Sequence, residues 1–147
     1  MNDKYLNPPG RLFTCNPAGL NKVDFKADIL LITRAGYDVP NATRIRDLSP
    51  SQDLFLTYLN EWKDKEEYEV WWPKYEKRFL AELKWDDRVK SLREVYKLLI
   101  MGHDVVLVCF CKDHRYCHRR LVAQFFEQFG VKAEELNPIL VDQLNLF

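Results

Sequence analysis

The chain predicts a single α/β domain, a parallel or mixed sheet flanked by helices in three layers. Three observations carry this. Short, almost continuously apolar runs at 27–33 (ADILLIT) and 104–109 (DVVLVC) have the length and composition of strands covered on both faces. Between residues 49 and 100 apolar residues recur at three- and four-residue intervals, as on amphipathic helices. Strand-like and helix-like stretches also follow one another along the chain, which favours crossover connections within one sheet. At 147 residues the chain is the size of one ordinary domain and long enough to bury a real core.

Residues 1–10, with Pro8, Pro9 and Gly10, read as a poorly ordered lead-in. Arg11–Cys15 (RLFTC) is a short strand, halted by Asn16, Pro17 and Gly19. Ala27–Thr33 is a second strand and ends in the turn formed by Arg34, Ala35 and Gly36. Residues 37–47 are expected to be irregular, because Pro40 and Asn41 break regular structure there. Ser49 as N-cap and Pro50 at the first helical position open a helix, with Leu54, Phe55, Tyr58, Leu59 and Trp62 as its apolar face. The charged stretch Lys63–Glu69 is a solvated connection.

A second helix covers Val70–Leu83, where Trp72, Tyr75, Phe79 and Leu83 form a stripe expected in the core. A third covers Asp87–Ile100, with Val89, Leu92, Val95, Tyr96 and Leu99 on one side and Gly102 closing it. A strand at Asp104–Cys109, a polar loop and a helix reaching Phe129, ended by Gly130, follow. Leu136–Val141 (LNPILV) is a last short strand.

Hydrophobic residues at 47% and charged residues at 30% exclude a disordered or fibrous chain. Twenty aromatic residues favour a well-packed interior and leave room for an aromatic-walled pocket. Lys plus Arg equals Asp plus Glu at 22 each, so bulk charge gives no support for gripping nucleic acid through its phosphates; a local basic pocket stays open. No apolar run approaches the roughly 18–20 residues that cross a bilayer, and the amino-terminal residues lack the apolar centre of a signal peptide. A cytoplasmic protein with no membrane partner is expected, its four cysteines reduced.

Three of those cysteines fall in Val105–Arg120, VVLVCFCKDHRYCHRR, at the junction of a strand, a loop and a helix start. Ligands of α/β proteins gather at such junctions. Cys109 and Cys111, if extended, point to one side. Cys117 and His118 come at the helix amino end, where free amides and the helix dipole favour anions and lower a thiol's pKa. Lys112, Arg115, Arg119 and Arg120 add positive charge nearby.

Three readings stand. In the first, Cys109 is a core residue, and His118 and Arg119 hold the loop by hydrogen bonds. In the second, the junction is a catalytic or anion-binding pocket. Cys117 or Cys109 is the thiolate, His118 the acid or base, and Arg34, Arg115 and Arg119 hold an anion, with Cys15, Cys109 and Cys111 supporting. Arg34 has a better claim than Arg44 or Arg46 because it directly follows a buried-type strand. In the third, Cys109, Cys111, Cys117 and His118 bind zinc, although C-x-C-x5-C-H is not a common zinc spacing. The match of Cys109 and Arg115 to the C-x5-R phosphate loop of cysteine phosphatases is coincidental, since no glycine lies between them to let amides curl around an anion.

The run VVLVCFCKDHRYCHRRLVAQFF resembles the hallmark of the family known as domain of unknown function 488, through Cys109, Phe110, Cys117, His118, Arg119, Leu121 and Ala123. LSPSQDLFLTYL, WPKYEKRFLAEL and RLFTC are similar to the family's further segments, so the resemblance spans about residues 11–130. It implies an α/β fold and a cluster that is not accidental, but no reaction. One departure matters: Cys111 stands where the family usually has Glu, and a thiolate there can replace the carboxylate as a metal ligand.

The expected function is an enzyme or sensor for a small anionic ligand, a nucleotide or phosphorylated metabolite, with zinc as the cofactor to consider. The alternative is a non-catalytic metal-binding or nucleic-acid-interacting module built on Cys109, Cys111 and Cys117. A third class is an interaction protein that uses exposed Trp62, Trp71, Trp72 and Trp85.

Overall fold

Valine, leucine and isoleucine at every position of a short run suit a strand covered on both faces, and such runs form the middle of the sheet. The structure, a computed structural model, describes residues 6–139. Its strands are β1 (Leu12–Cys15), β2 (Asp28–Leu31), β3 (Ala42–Arg44), β4 (Val105–Val108) and β5 (Glu134–Glu135). They form one parallel sheet in the order β3-β2-β4-β1-β5. The helices are α1 (Gln52–Thr57), which runs into a π turn at Tyr58–Trp62, α2 (Tyr68–Glu82), α3 (Asp86–Ile100) and α4 (His118–Phe125). This is the expected α/β class.

The two faces are covered differently. Leu12, Leu30, Val105, Leu107 and Cys109 pack with the buried residues of all four α-helices. Phe13, Cys15, Leu31, Val106 and Val108 pack on the other side with Leu20, Val23 and Phe25, from the 3-10 segment Pro17–Lys22 and the chain after it. Direction of travel explains the asymmetry. From β1 to β2 the chain crosses β4 one way, whereas β3 to β4 and β4 to β5 run the other way. Crossovers that share one hand must change face when they change direction. The connections leaving β2 and β4, which are neighbours, therefore diverge at their carboxyl ends and open a crevice there.

Several expectations need correction. Residues 37–47 are not irregular throughout: Ala42–Arg44 pairs with β2 as an edge strand that is too short and too polar to show a pattern. The N-cap of α1 is Ser51, whose side chain accepts from Leu54 N and whose own N–H and hydroxyl donate to the buried Glu82 carboxylate. Ser49 instead bonds Arg46 O. The last strand lies at Glu134–Glu135; the expected Leu136–Val141 strand ends outside the described residues at 140–141. Of the expected lead-in, residues 1–5 lie outside the described residues, while Asn7 N and Gly10 N donate to Phe129 O and Leu99 O. Trp62, Trp71 and Trp72 are buried, and only Trp85 of the four tryptophans is exposed, so they do not form a shared docking face. Among the described residues no helix is long and apolar enough to cross a membrane.

The amino ends of β1 and β4 are tied by Asp104, which accepts from Arg11 N, Nε and Nη2 at 2.9, 3.2 and 2.7 Å. These bonds hold the Asp104 carboxyl below the usual carboxylate range. A folded pKa below the unfolded value of about 3.9 gives stability that is present above about pH 4 and fades as the pH falls through the folded value. Urea unfolding of Asp104→Asn between pH 2 and 7 should show a flatter acid limb than wild type; coincident acid limbs would exclude this contribution.

Candidate functional site

Strand alternation places the first thiol. Along β4, Val105 and Leu107 face the α-helices, so Cys109, two residues on, faces them too, and Cys111 packs on the same side. Their Sγ atoms are 3.9 Å apart. α4 begins just after Cys117, so Cys117 and His118 fold back over the end of β4. The thiols of Cys109 and Cys117 and one nitrogen of His118 all lie within 4.8 Å of one another, and all three residues are buried.

The imidazole of His118 is held from behind. Its Nε2 lies 2.5 Å from the carbonyl of Ile32, which can only accept, so Nε2 carries the proton. Nδ1 is left with its lone pair toward the thiols, 3.7 Å from Cys109 Sγ. Phe79 packs on the ring with centroids 5.4 Å apart.

The thiols and His118 form the floor of a cavity of about 260 Å³ at the carboxyl ends of β2 and β4. Its walls are aromatic: Phe55, Tyr58, Trp71, Tyr75 and Tyr116 on the helix side, and Phe110 opposite. The hydroxyls of Tyr58 and Tyr75 stay neutral there. Burial first, and the neighbouring cysteines after it, push the Tyr75 hydroxyl pKa well up and raise that of Tyr58. Gly36 approaches the Phe110 ring so closely, at φ +100°, that a side chain fits neither the space nor the backbone.

The cysteines differ in character. The neighbouring Cys111 thiol favours ionisation of Cys109, but Cys117 and burial outweigh it and raise the Cys109 pKa. Cys111 is raised chiefly by its hydrogen bond to Cys109, with Cys117 acting the other way and burial adding. Cys15 is no part of the cavity. It packs on the opposite face of the sheet, and burial pushes its thiol up to about 12.

A family model described as the active DUF488-N3 subclade matches residues 12–130. The chain belongs to this family. No curated protein and no solved structure matches it. The matched span runs from β1 to Gly130, the left-handed C-cap at φ 82° of the 3-10 turn that follows α4, and includes every residue lining the cavity.

In this DUF488-N3 chain the arginines divide sharply. Arg34 lines the cavity mouth; its Nε donates to Pro50 O at 2.8 Å, and its terminal nitrogens have no hydrogen-bond partner among the described residues. Arg119 does not line the cavity. It is fully buried, with Nε on Glu135 Oε1 at 2.9 Å and Nη1 on Cys111 O at 2.8 Å and near Cys117 Sγ at 3.5 Å. Burial opposes its charge, but Cys117 and Glu135 more than offset it and raise its pKa. Arg119, expected as an anion clamp, is thus buried and engaged with Glu135, Cys111 and Cys117 in this structure. Arg115 turns back onto Asp113 at 3.0 and 2.7 Å and does not line the cavity either. Arg44 braces the loop after β2, with bonds to Thr33, Gly36 and Tyr37 carbonyls.

Residues that sequence reasoning left out are the aromatic walls, the Ile32 carbonyl and Glu135. The helix stripe marked Tyr75 only as core, and nothing local marks a backbone carbonyl 86 positions away as the partner of His118. Removing the buried Arg119 leaves the partly buried Glu135 without its cation. Arg119→Ala should therefore lose about 3–5 kcal/mol of unfolding free energy. Arg119→Lys should recover only part of it, because one ammonium cannot span Glu135, Cys111 and Cys117 together. Equilibrium urea denaturation measures both, and an alanine variant as stable as wild type would show that this ion pair is dispensable.

Proposed function

We propose that the chain is an enzyme or sensor whose cavity takes a small anionic ligand with a flat body, a nucleotide or phosphorylated metabolite. The observation that carries this reading is convergence. One cavity joins an aromatic wall, a half-buried arginine with free donors at its mouth, and a floor of thiols and imidazole. Its position supports the reading, because α/β ligands bind where neighbouring strand connections diverge. The "active" in the family model's description also favours catalysis over a relict fold.

In this reading the ligand body lies against Tyr58, Trp71 and Tyr75, and Arg34 pairs with the anion as a planar fork. The reacting atom lies over Cys117 and His118. His118 Nδ1, which faces the thiols, accepts or returns a proton, and Cys117, at the start of α4 with Arg119 Nη1 3.5 Å from its sulfur, is the nucleophile candidate.

A second reading, single-stranded nucleic acid, rests on one feature. A neighbouring cavity of about 540 Å³ continues past Tyr58, Tyr68, Trp71 and Tyr116 and carries Lys63 and Lys112, an aromatic path with flanking cations. Tyr68 and Tyr116 stack there with centroids 4.3 Å apart.

A thermal-shift panel of nucleoside mono-, di- and triphosphates and sugar phosphates tests the first reading. At about 100 times Kd a ligand adds about 2.7 kcal/mol, roughly 5–10 °C in Tm for a chain of this size. The expected result is such a rise for wild type and none for Arg34→Ala. Equal rises in both, or none with any compound, would sink it. Binding of an oligonucleotide that weakens steeply with added salt would favour the second reading.

A further inference from the structure

We infer that Cys109, Cys117 and His118, with Cys111 as a fourth and more exposed donor, form a zinc site on the cavity floor. Neither sequence spacing nor family membership assigns it; the geometry does. Zn–S bonds of about 2.3 Å and Zn–N bonds of about 2.1 Å, spread tetrahedrally, require S–S edges of about 3.8 Å and S–N edges of about 3.6 Å. The separations here are 3.9 Å for Cys109 Sγ to Cys111 Sγ and 3.7 Å for Cys109 Sγ to His118 Nδ1. Cys117 Sγ joins Cys109 and His118 within 4.8 Å; Cys111 lies outside that group and reaches it through its 3.9 Å contact with Cys109, so it is the donor that must close on the metal.

The surroundings suit a metal as well as the spacing does. A ligating histidine commonly gives its second N–H to a backbone carbonyl, which fixes the tautomer and turns the other nitrogen to the metal. His118 does this with Ile32 O, leaving Nδ1 as the donor atom. Three sulfurs and one imidazole are a soft set that favours zinc over magnesium or calcium. Two or three thiolates on Zn²⁺ also concentrate negative charge in a buried place, and Arg119 lies against Cys117 Sγ with a second bond to Cys111 O.

Binding is a ligand exchange without electron transfer: Zn²⁺ enters, the coordinating thiols give their protons to water, and four metal–ligand bonds form. All four line the cavity, but Cys109, Cys117 and His118 are nearly enclosed, at 4%, 1% and 5% exposure, whereas Cys111 is only half-buried. Cys111 is thus the displaceable ligand, and the position it leaves faces whatever the cavity holds. In a chain that holds the metal, zinc at that open position acts as a Lewis acid, and Cys117 is a ligand instead of a nucleophile. The metal site does not depend on which ligand the cavity takes.

The test is elemental analysis of the full chain, purified under reducing conditions without chelator, followed by replacement with Co²⁺. The expected result is about one zinc per chain, and intense sulfur-to-cobalt charge-transfer absorption after exchange, with visible bands of tetrahedral form. Cys111→Ser should keep the metal but surrender it to a chelator several-fold faster than wild type, while Cys117→Ser and His118→Gln lose it. Cys15→Ala, a buried cysteine on the other face of the sheet, should keep it. Wild-type protein that carries no zinc and gives no charge-transfer band with stoichiometric Co²⁺ overturns the site, whatever the variants do. Iron in place of zinc overturns the metal assigned, and undiminished retention in Cys117→Ser overturns the ligand set. Because the wild-type arm needs no variant to fold, misfolding cannot mask the answer. If wild type binds neither zinc nor Co²⁺ but still shows the nucleotide shift, the zinc site falls and the pocket reading stands.

Discussion

Burying an unpaired guanidinium costs several kcal/mol, so a fully buried arginine dictates where its partners must lie. Arg119 is such a residue. It binds Glu135 on edge strand β5, the carbonyl of Cys111 in the loop after β4, and the sulfur of Cys117 at the start of α4. Glu135 in turn accepts from Thr14 Oγ1 in β1 and from Asn137 N. One charged pair thereby fixes the sheet edge, the loop and the helix start relative to one another. The thiols of the loop and of the helix can sit side by side because that frame is rigid.

The sheet supplies the other half of the arrangement. The reversal of strand order sends the chain after β2 to one face and the chain after β4 to the other, and the cavity lies where they part. Thr33 and Arg34 come from the first connection, and Cys109, Phe110 and Cys111 from the second. Apart from Tyr116, the helix-side wall comes from α1, its π turn and α2, whose aromatic residues touch one another: Tyr58 with Trp71 at 5.2 Å, and Trp71 with Tyr75 at 5.8 Å between centroids. The large aromatic content of the chain thus serves both core and cavity, since the same rings face inward on one edge and the opening on the other.

Arg119 and Ile32 shape the site although neither lines the cavity. The carbonyl of Ile32 chooses the tautomer of His118, and Arg119 Nη1 lies 3.5 Å from Cys117 Sγ. Both contacts serve a proton-transferring histidine with a thiolate, and both serve a metal bound by sulfur and imidazole. The two chemistries differ in what sits among the donors, a proton or a cation; the protein around them is the same.

Local signals carried the α/β class, the course of the helices and the strand–loop–helix junction that holds the cluster, because hydrophobic period is a local property; the cap of α1, expected at Ser49, lies at Ser51. The sequence also held the family motif, whose cysteines, histidine and arginine lie within eleven residues, Cys109–Arg119. The remaining features depend on pairing across long distances. Cys15 is partnered with Val108 in the register of β1 and β4, one residue short of Cys109, and that single step of parity turns it to the opposite face. Arg119 looked like an anion clamp because its charge was visible and Glu135 was not recognisable as its partner. Tyr58 and Tyr75 read as core because periodicity reports which face is apolar and not whether that face borders a cavity. β3 went unseen because a three-residue edge strand owes its existence to β2, and its own residues carry no pattern that announces it.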